Sequence, residues 1–139
     1  MRILEYNFHN MHALKKVYVH DGEFTGFSYY YDHRTIELSC TNAYIRKKQS
    51  FIFDNVIVFH MQSCSFWNGG NSILGMTVYD RTEFLDRLIE TQNNNSQKYE
   101  GSYLDRGIKY IAVEFTINSG DTLLIVCQTI HYNEIELVT

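Results

Sequence analysis

The sequence predicts a mainly β domain, either an antiparallel sandwich or a partly open barrel of six or seven strands. Aromatic residues make up 15% of the 139-residue chain, and these side chains are enriched in strands. Apolar and polar residues alternate with a period of two in several segments, as they do when one face of a strand packs on a core. The length fits a single domain over residues 1–139 that folds without metals or disulfides.

The first predicted elements are a short helix and a turn. Asn10 precedes Met11 and Leu14, and Lys15-Lys16 follow them. This order predicts an amphipathic helix that is capped by Asn10 and has basic residues at its negative end. His20-Asp21-Gly22 then predicts a turn into a strand, because Asp-Gly pairs favour turns.

An antiparallel hairpin is predicted next. The apolar members of its two alternating strands are Phe27, Tyr29 and Tyr31 in the first and Ile36, Leu38 and Cys40 in the second. We expect each strand to be half covered by the core. Residues 51–61 continue the sheet, and Asp54-Asn55 inside this segment is either a bulge or a turn.

The middle of the chain predicts a loop, a strand and a helix. A glycine-containing loop over 65–72 leads to a strand over 73–79. Asp80-Arg81-Thr82-Glu83 has the spacing of a capping box, and apolar residues at helical spacing follow it, which predicts a helix over 80–91. Residues 92–107 are polar and irregular, and we expect a loop that is either functional or disordered.

The C-terminal part predicts a second hairpin over 108–132, with Asn118-Ser119-Gly120-Asp121 as its turn. Residues 123–127 are all apolar, so this strand should lie in the centre of a sheet with both faces buried. Residues 135–137 could add a short edge strand. The sequence contains no proline to protect sheet edges, and an unprotected edge strand could pair two copies into a homodimer.

Charge and cysteine content exclude several functions. The formal net charge of -4 argues against nucleic-acid binding through a broad basic surface. Residues 1–70 contain seven basic and six acidic side chains and residues 71–139 five and ten, so the second half could receive a basic partner. The three cysteines lack CxxC spacing, which favours a reducing cytoplasm. Neither a signal-peptide core nor an apolar run of membrane-spanning length is present, so we expect no membrane association.

Two histidine motifs are candidates for metal chemistry. His20-Asp21 has the composition of the dyad of metal-dependent phosphohydrolases, but those dyads lie on helices, and this one precedes Gly22 and a strand. A turn therefore explains it better. His9 and His12 are three residues apart, yet a cap at Asn10 would place His9 outside the helix. We expect neither a metal site nor a cofactor.

Two further motifs have simple structural interpretations. Cys64 and His60 are four residues apart, which in a strand means about 13 Å, too far for a nucleophile and its base. Arg46-Lys47-Lys48, next to Tyr44, is typical of a solvated turn rather than a nucleic-acid contact. We therefore expect no catalytic residues.

The remaining recognition candidates lie on the loops and on the outer face of the predicted helix. The predicted partner-binding residues are Trp67, Asn68, Asp86, Glu90, Tyr99 and Tyr103. Tryptophan and tyrosine on loops bury a large area at small entropic cost, which is typical of recognition surfaces. An equally good interpretation of Trp67 is a core residue beneath its loop.

The chain resembles a group of small bacterial β-rich domains that includes immunity proteins of polymorphic toxin systems. The segments that carry the resemblance are His20-Asp21-Gly22-Glu23-Phe24, Tyr31-Asp32, Ile36-Glu37-Leu38, Asn118-Ser119-Gly120-Asp121 and Leu124-Ile125-Val126-Cys127. The resemblance implies a non-enzymatic protein that binds and occludes a toxin, often a basic nuclease, and it assigns no functional residues. The rival hypothesis is a small-molecule binder or hydrolase-type enzyme with His20, His60 or His131 at the polar end of the sandwich interior or barrel mouth.

Overall fold

The computed structural model describes residues 2–62, 72–79, 86–87, 90–91 and 109–138. The elements that it defines are β1 (Arg2–Tyr6), α1 (Met11–Leu14), β2 (Glu23–Tyr30), β3 (Thr35–Asn42), β4 (Lys47–Asp54), β5 (Val58–Gln62), β6 (Ile73–Tyr79), β7 (Ile111–Ile117), β8 (Thr122–Cys127) and β9 (Thr129–Glu136). A five-stranded sheet has the order β1-β9-β4-β3-β2, and a four-stranded sheet has the order β5-β8-β7-β6. All neighbouring strands are antiparallel, which confirms the predicted fold class.

The two sheets pack face to face around one core. Phe51 and Phe53 of β4 and Phe115 of β7 are almost completely buried, and the Phe115 ring lies 5.6 and 6.4 Å from the other two ring centroids. Burying a side chain of this size stabilises the fold by about 1.5–3 kcal/mol. The described strands form this two-sheet sandwich and do not close into a barrel, which decides between the two predicted architectures.

The chain passes from one sheet to the other at Asp54-Asn55. Of the two predicted alternatives, a bulge and a turn, this segment is therefore a turn. Asn55 has a φ of 54° and makes a turn between β4 and β5, which belong to different sheets. Gln128 lies beside it, between β8 and β9, and its backbone N–H donates to the Asp54 carbonyl at 3.1 Å. The predicted single segment over 51–61 is therefore parts of two strands, one reason why nine strands are described rather than six or seven.

The hairpin of β7 and β8 has the predicted turn. Gly120, with a φ of 89°, donates its backbone N–H to the Ile117 carbonyl at 2.8 Å. β8 lies between β5 and β7 with its apolar residues buried on both faces, as predicted for a central strand. The hairpin ends at Cys127, however, and not at residue 132.

The prediction of an edge strand over 135–137 was wrong. These residues follow or end β9, which lies between β1 and β4 inside the five-stranded sheet. Alternate residues of β9, Ile130 and Tyr132, face the core. The edge strand beside β9 is instead β1, which has five residues.

The half-covered hairpin was predicted correctly for β3 and wrongly for β2. Ile36, Leu38 and Cys40 of β3 are at most 2% exposed. Phe27 and Tyr29 of β2, in contrast, are 41% and 47% exposed. β2 is the outermost strand of its sheet and, among the described elements, has its main contacts with β3 alone, so the opposite sheet covers its inward-facing rings only in part.

The short N-terminal helix is amphipathic as predicted, but its cap differs. α1 is a single turn whose Met11 and Leu14 are buried. Asn10 occupies the cap position without a capping hydrogen bond. Its side chain instead accepts the Asn7 N–H at 2.7 Å and donates to the Glu5 carbonyl at 2.9 Å, so it ties β1 to the helix.

The predicted helix over 80–91 is described at four positions. Asp86, Arg87, Glu90 and Thr91 are helical, and the Thr91 hydroxyl donates to the Arg87 carbonyl at 2.9 Å. The rest of that helix, the predicted loop over 92–107 and nearly all of the loop over 65–72 lie outside the described residues. In the part of the chain that is described, no helix has the length and apolar composition needed to span a bilayer.

Candidate functional site

The structure places two of the six predicted partner-binding residues. Asp86 and Glu90 are exposed on a helical segment, as predicted for its outer face. The other four residues, Trp67, Asn68, Tyr99 and Tyr103, lie outside the described residues.

His20 and Asp21 form the predicted turn. Asp21 has a φ of 67°, and the Gly22 N–H donates to the Val19 carbonyl at 3.0 Å. The His20 Nδ1 atom lies 3.1 Å from the Asp21 carboxylate, and both side chains are more than half exposed. Asp21 and Gly22 also exchange backbone hydrogen bonds with Ile73, so this turn ties the start of β2 to β6 of the other sheet.

The other histidines that were candidates do not cluster among the described residues, and Cys64 lies outside those residues. His131 Nε2 lies 3.0 Å from the Asp54 carboxylate, while His60 is exposed on β5. Cys40 and Cys127 are buried and unbridged, and burial raises the pKa of the Cys40 thiol to about 12, so it is inert. Among the described residues, no three His, Cys, Asp or Glu side chains are arranged to hold a metal ion.

An exposed group of aromatic rings lies where the edge strands of the two sheets meet. We call Phe27, Tyr29, Tyr31, Phe59 and Met61 the aromatic edge. Phe59 of β5 stacks on Phe27 at 5.2 Å and on Tyr29 at 5.9 Å, and Tyr31 packs edge-on against Tyr29 at 6.1 Å. All five side chains are more than one third exposed. Such a continuous exposed apolar patch is typical of an interaction surface.

Strand register explains why these rings meet. Phe27 and Tyr29 lie opposite Leu38 and Ile36 of β3, so they point to the inner side of the five-stranded sheet. Phe59 lies opposite the fully buried Ile125 and points to the inner side of the other sheet. Because β2 and β5 are both outermost strands, their inward-facing rings lie at the open side of the sandwich.

The backbone of β2 is also available at this edge. Apart from a single bridge between Glu23 and Ser72, β2 pairs only with β3 among the described residues. Its one charged residue is Glu23 at its start, and a bulge lies between Phe24 and Gly26. The stretch after this bulge contains none of the charges or prolines that commonly prevent edge pairing, so it can accept another strand.

A polar cavity lies near the β1 edge of the five-stranded sheet, at the opposite edge from β2. Its volume is about 580 Å³, and its lining residues are Leu4, Glu5, Tyr6, Asn10, Ala13, Lys16, Val17, Tyr18, Ile45, Lys47, Tyr132 and Glu134. They come from β1, β4, β9, α1 and the segments beside them. None of His20, His60 and His131, the histidines that the rival hypothesis places in a pocket, is among the described residues that line this cavity.

A chain of hydrogen bonds forms one wall of the cavity. The fully buried Gln49 donates to the Tyr132 hydroxyl at 2.8 Å and to the Tyr18 carbonyl at 2.7 Å. The Tyr132 hydroxyl donates in turn to Glu134 Oε2 at 2.8 Å. Lys47 Nζ lies 3.4 Å from Glu134 Oε1 and 2.7 Å from Glu136. The amide of Gln49 and the hydroxyl of Tyr132 thereby have hydrogen-bond partners, as burial requires.

The same contacts shift the pKa values of the side chains in this hydrogen-bonded network. Burial, supported by the negative charge of Glu134, raises the pKa of the Tyr132 phenol, so it stays a donor at neutral pH. The hydrogen bond to Glu136 raises the pKa of Lys47, and the same bond lowers the pKa of Glu136. Lys47 and Glu136 are therefore both charged at neutral pH.

Sequence reasoning missed both sites, although each had a signal. Tyr29, Tyr30 and Tyr31 are consecutive, which breaks the alternation and indicates a strand end without a single buried face. Gln49 stands two residues before the buried Phe51, at an inward-facing strand position. A polar side chain at such a position predicts a buried polar network.

The fold and these two surfaces define the chain as a two-sheet antiparallel β-sandwich with an aromatic edge and a separate polar cavity. The sequence matches no protein-family model, and neither a curated protein nor a solved structure matches it significantly.

Proposed function

We propose that this chain is a non-catalytic protein-binding domain that receives an extended segment of its partner along the aromatic edge. The observation that carries the proposal is the stack of Phe27, Tyr29 and Phe59, which is exposed beside the edge of β2 that no described strand pairs. An added strand would hydrogen-bond to β2 while its alternate side chains pack on the rings.

The partner that suits this domain is a basic protein. The net charge of the chain is -4, and the acidic side chains Asp86 and Glu90 are exposed. Complementary charge would accelerate encounter, while the rings would supply most of the affinity. A basic toxin that the domain occludes in the cytoplasm, as the resemblance to immunity proteins implies, is the partner class that we propose.

The test is binding to the product of the neighbouring reading frame, above all a large secreted toxin encoded immediately upstream. Tyr29→Lys places a charge in the ring stack, so we expect at least a tenfold loss of affinity, about 1.4 kcal/mol. Tyr44→Lys is the matched control, because Tyr44 is an exposed tyrosine outside the aromatic edge, in the connection between β3 and β4. Equal affinity of the two variants would contradict the proposal.

A second variant separates the charge from the rings. Reversal of Asp86 and Glu90 to lysine should slow association with a basic partner by a salt-dependent factor and change dissociation little. Stopped-flow association rates at low and high salt measure this effect. An unchanged association rate would show that Asp86 and Glu90 do not contact the partner, and the proposed binding surface would then be the aromatic edge alone.

A second copy of the chain is the competing occupant of β2. Sedimentation of the isolated chain at increasing concentration tests it. If the chain forms a dimer that Tyr29→Lys dissociates, the edge serves self-association through β2, and the proposal of a different partner is overturned.

A further inference from the structure

The polar cavity has no part in the proposed partner binding, because it lies beside β1, β9 and α1 rather than β2 and β5. Its volume of about 580 Å³ is within the range of cavities that bind small molecules. Apolar side chains from Leu4, Val17 and Ile45 share its lining with three tyrosines and a few charged groups. This combination of apolar surface and a small set of placed polar groups is typical of a ligand site.

The Glu134 carboxylate is the best-positioned polar group in the cavity. Its Oε2 atom accepts the Tyr132 hydroxyl, which Gln49 holds in turn. Among the described residues, its Oε1 atom has only Lys47 as a partner, at 3.4 Å, because the short 2.7 Å contact of Lys47 goes to Glu136. Charge-assisted hydrogen bonds are normally about 2.7–2.9 Å long, so Oε1 can accept a shorter bond from another donor.

The charges around Glu134 determine what that donor is. Lys47 makes its short contact with Glu136 and lies farther from Glu134, so Glu134 has no close cation among the described residues. The aromatic residues Tyr6, Tyr18 and Tyr132 line the same cavity, and aromatic faces attract cations. The other two charged lining residues, Glu5 and Lys16, have opposite signs, so the far end of a ligand meets no net charge.

We propose that this cavity binds the ammonium or guanidinium group of a small organic cation, with Glu134 as its counter-ion. The rest of the ligand packs on the tyrosines and apolar residues, and its other end is uncharged. Such a cation occurs on a free amine and on a lysine or arginine side chain of a peptide, and the two sources are separable by experiment.

Calorimetric titration of the full chain with phenethylamine tests the proposal. We expect saturable binding that Glu134→Gln weakens about thirtyfold or more, because the variant keeps the shape and removes the charge. Glu23→Gln is the matched control: it removes an exposed carboxylate from the same sheet, but Glu23 is not a lining residue, so affinity should change less than about threefold. Thermal unfolding of both variants shows that they fold.

Two further ligands complete the test. 3-Phenylpropionate has a similar shape and the opposite charge, and it should bind at least about tenfold more weakly. The peptide Gly-Gly-Lys-Gly-Gly presents the same ammonium group on a chain, and tighter binding of this peptide than of phenethylamine would assign the cation to a peptide source. Absence of amine binding at about 10 mM, or equal affinity of wild type and Glu134→Gln, overturns the proposal.

Discussion

Two aromatic clusters in this molecule have similar distances between their rings and opposite surroundings. In the interior cluster, Phe51 and Phe115 are 5.6 Å apart and almost completely buried. In the aromatic edge, Phe27 and Phe59 are 5.2 Å apart and remain more than one third exposed. A ring pair contributes about 0.5–1.5 kcal/mol beyond its burial, so the clusters differ mainly in the burial itself. The edge therefore keeps apolar surface whose burial can stabilise a complex instead of the fold.

The largest expected effect comes from removing one ring of each cluster. Phe115→Ala should lower the free energy of unfolding by about 3–5 kcal/mol, because it leaves a cavity against Phe24, Phe51 and Phe53. Phe27→Ala removes a ring that solvent already reaches, and we expect a loss below about 1.5 kcal/mol. Urea denaturation measures both values. Similar losses would show that the edge rings belong to the core.

A smaller effect distinguishes the hydroxyl groups of the two clusters. Tyr132 packs on Phe51 at 5.0 Å, and its hydroxyl joins Gln49 to Glu134. Tyr132→Phe leaves a buried donor and a carboxylate oxygen unpaired, so we expect a loss of about 1–3 kcal/mol. Tyr29→Phe, at the edge, should stay within about 0.5 kcal/mol of wild type. If Tyr132→Phe also leaves the free energy of unfolding unchanged, water replaces the hydroxyl, and the hydrogen-bonded network does not depend on the Tyr132 hydroxyl.

Backbone conformation gives the next comparison. Gly120 has a φ of 89° in the turn of the β7–β8 hairpin, which supplies Phe115, so Gly120→Ala should cost about 1–2 kcal/mol. A Cβ atom on Gly26 of β2 would meet the Ser39 Cβ atom at 3.8 Å, an ordinary contact. Gly26→Ala should therefore be neutral or stabilise by about 0.4–1 kcal/mol. Destabilisation by Gly26→Ala would show that this edge needs its flexibility.

The sequence was sufficient for most strands, but not for β1 or for the burial of β2. Alternation predicted both strands of the first hairpin, but the period of two is the same for a strand whose face is covered and for one whose face is open, as Leu38 and Phe27 show. Which strand is outermost depends on long-range pairing. β9, for example, enters between β1 and β4 from the far end of the chain, and no local pattern specifies that position.

The candidate sites depended on the same long-range pairing. Phe59 meets Phe27 only because the outermost strands of the two sheets lie on the same side of the sandwich. Lys47 and Glu134 are 87 residues apart and become neighbours through the pairing of β4 with β9. The turns at His20-Asp21 and at Gly120, in contrast, were predictable because local backbone preferences determine them.

The smallest expected effect is the pH dependence of stability. It should arise from the ion pair of Lys47 and Glu136, whereas the rings of the aromatic edge are uncharged and should contribute none. The pKa of Glu136 is lowered by Lys47, so its contribution to stability is present above its ordinary value of 4.5 and is lost as pH falls through the lowered value. The pKa of Lys47 is raised by Glu136, so its contribution is present below its ordinary value of 10.5 and is lost as pH rises through the raised value.

The difference in melting temperature between wild type and Glu136→Gln should therefore be largest between pH 4.5 and pH 10.5 and should disappear outside that window. It should be small and should fall with added salt, because Glu136 is mostly exposed. Phe27→Ala is the control, since it changes no charge and its difference from wild type should not follow this profile. A Glu136→Gln difference that persists in acid would mean that this side chain acts by packing and not by its charge.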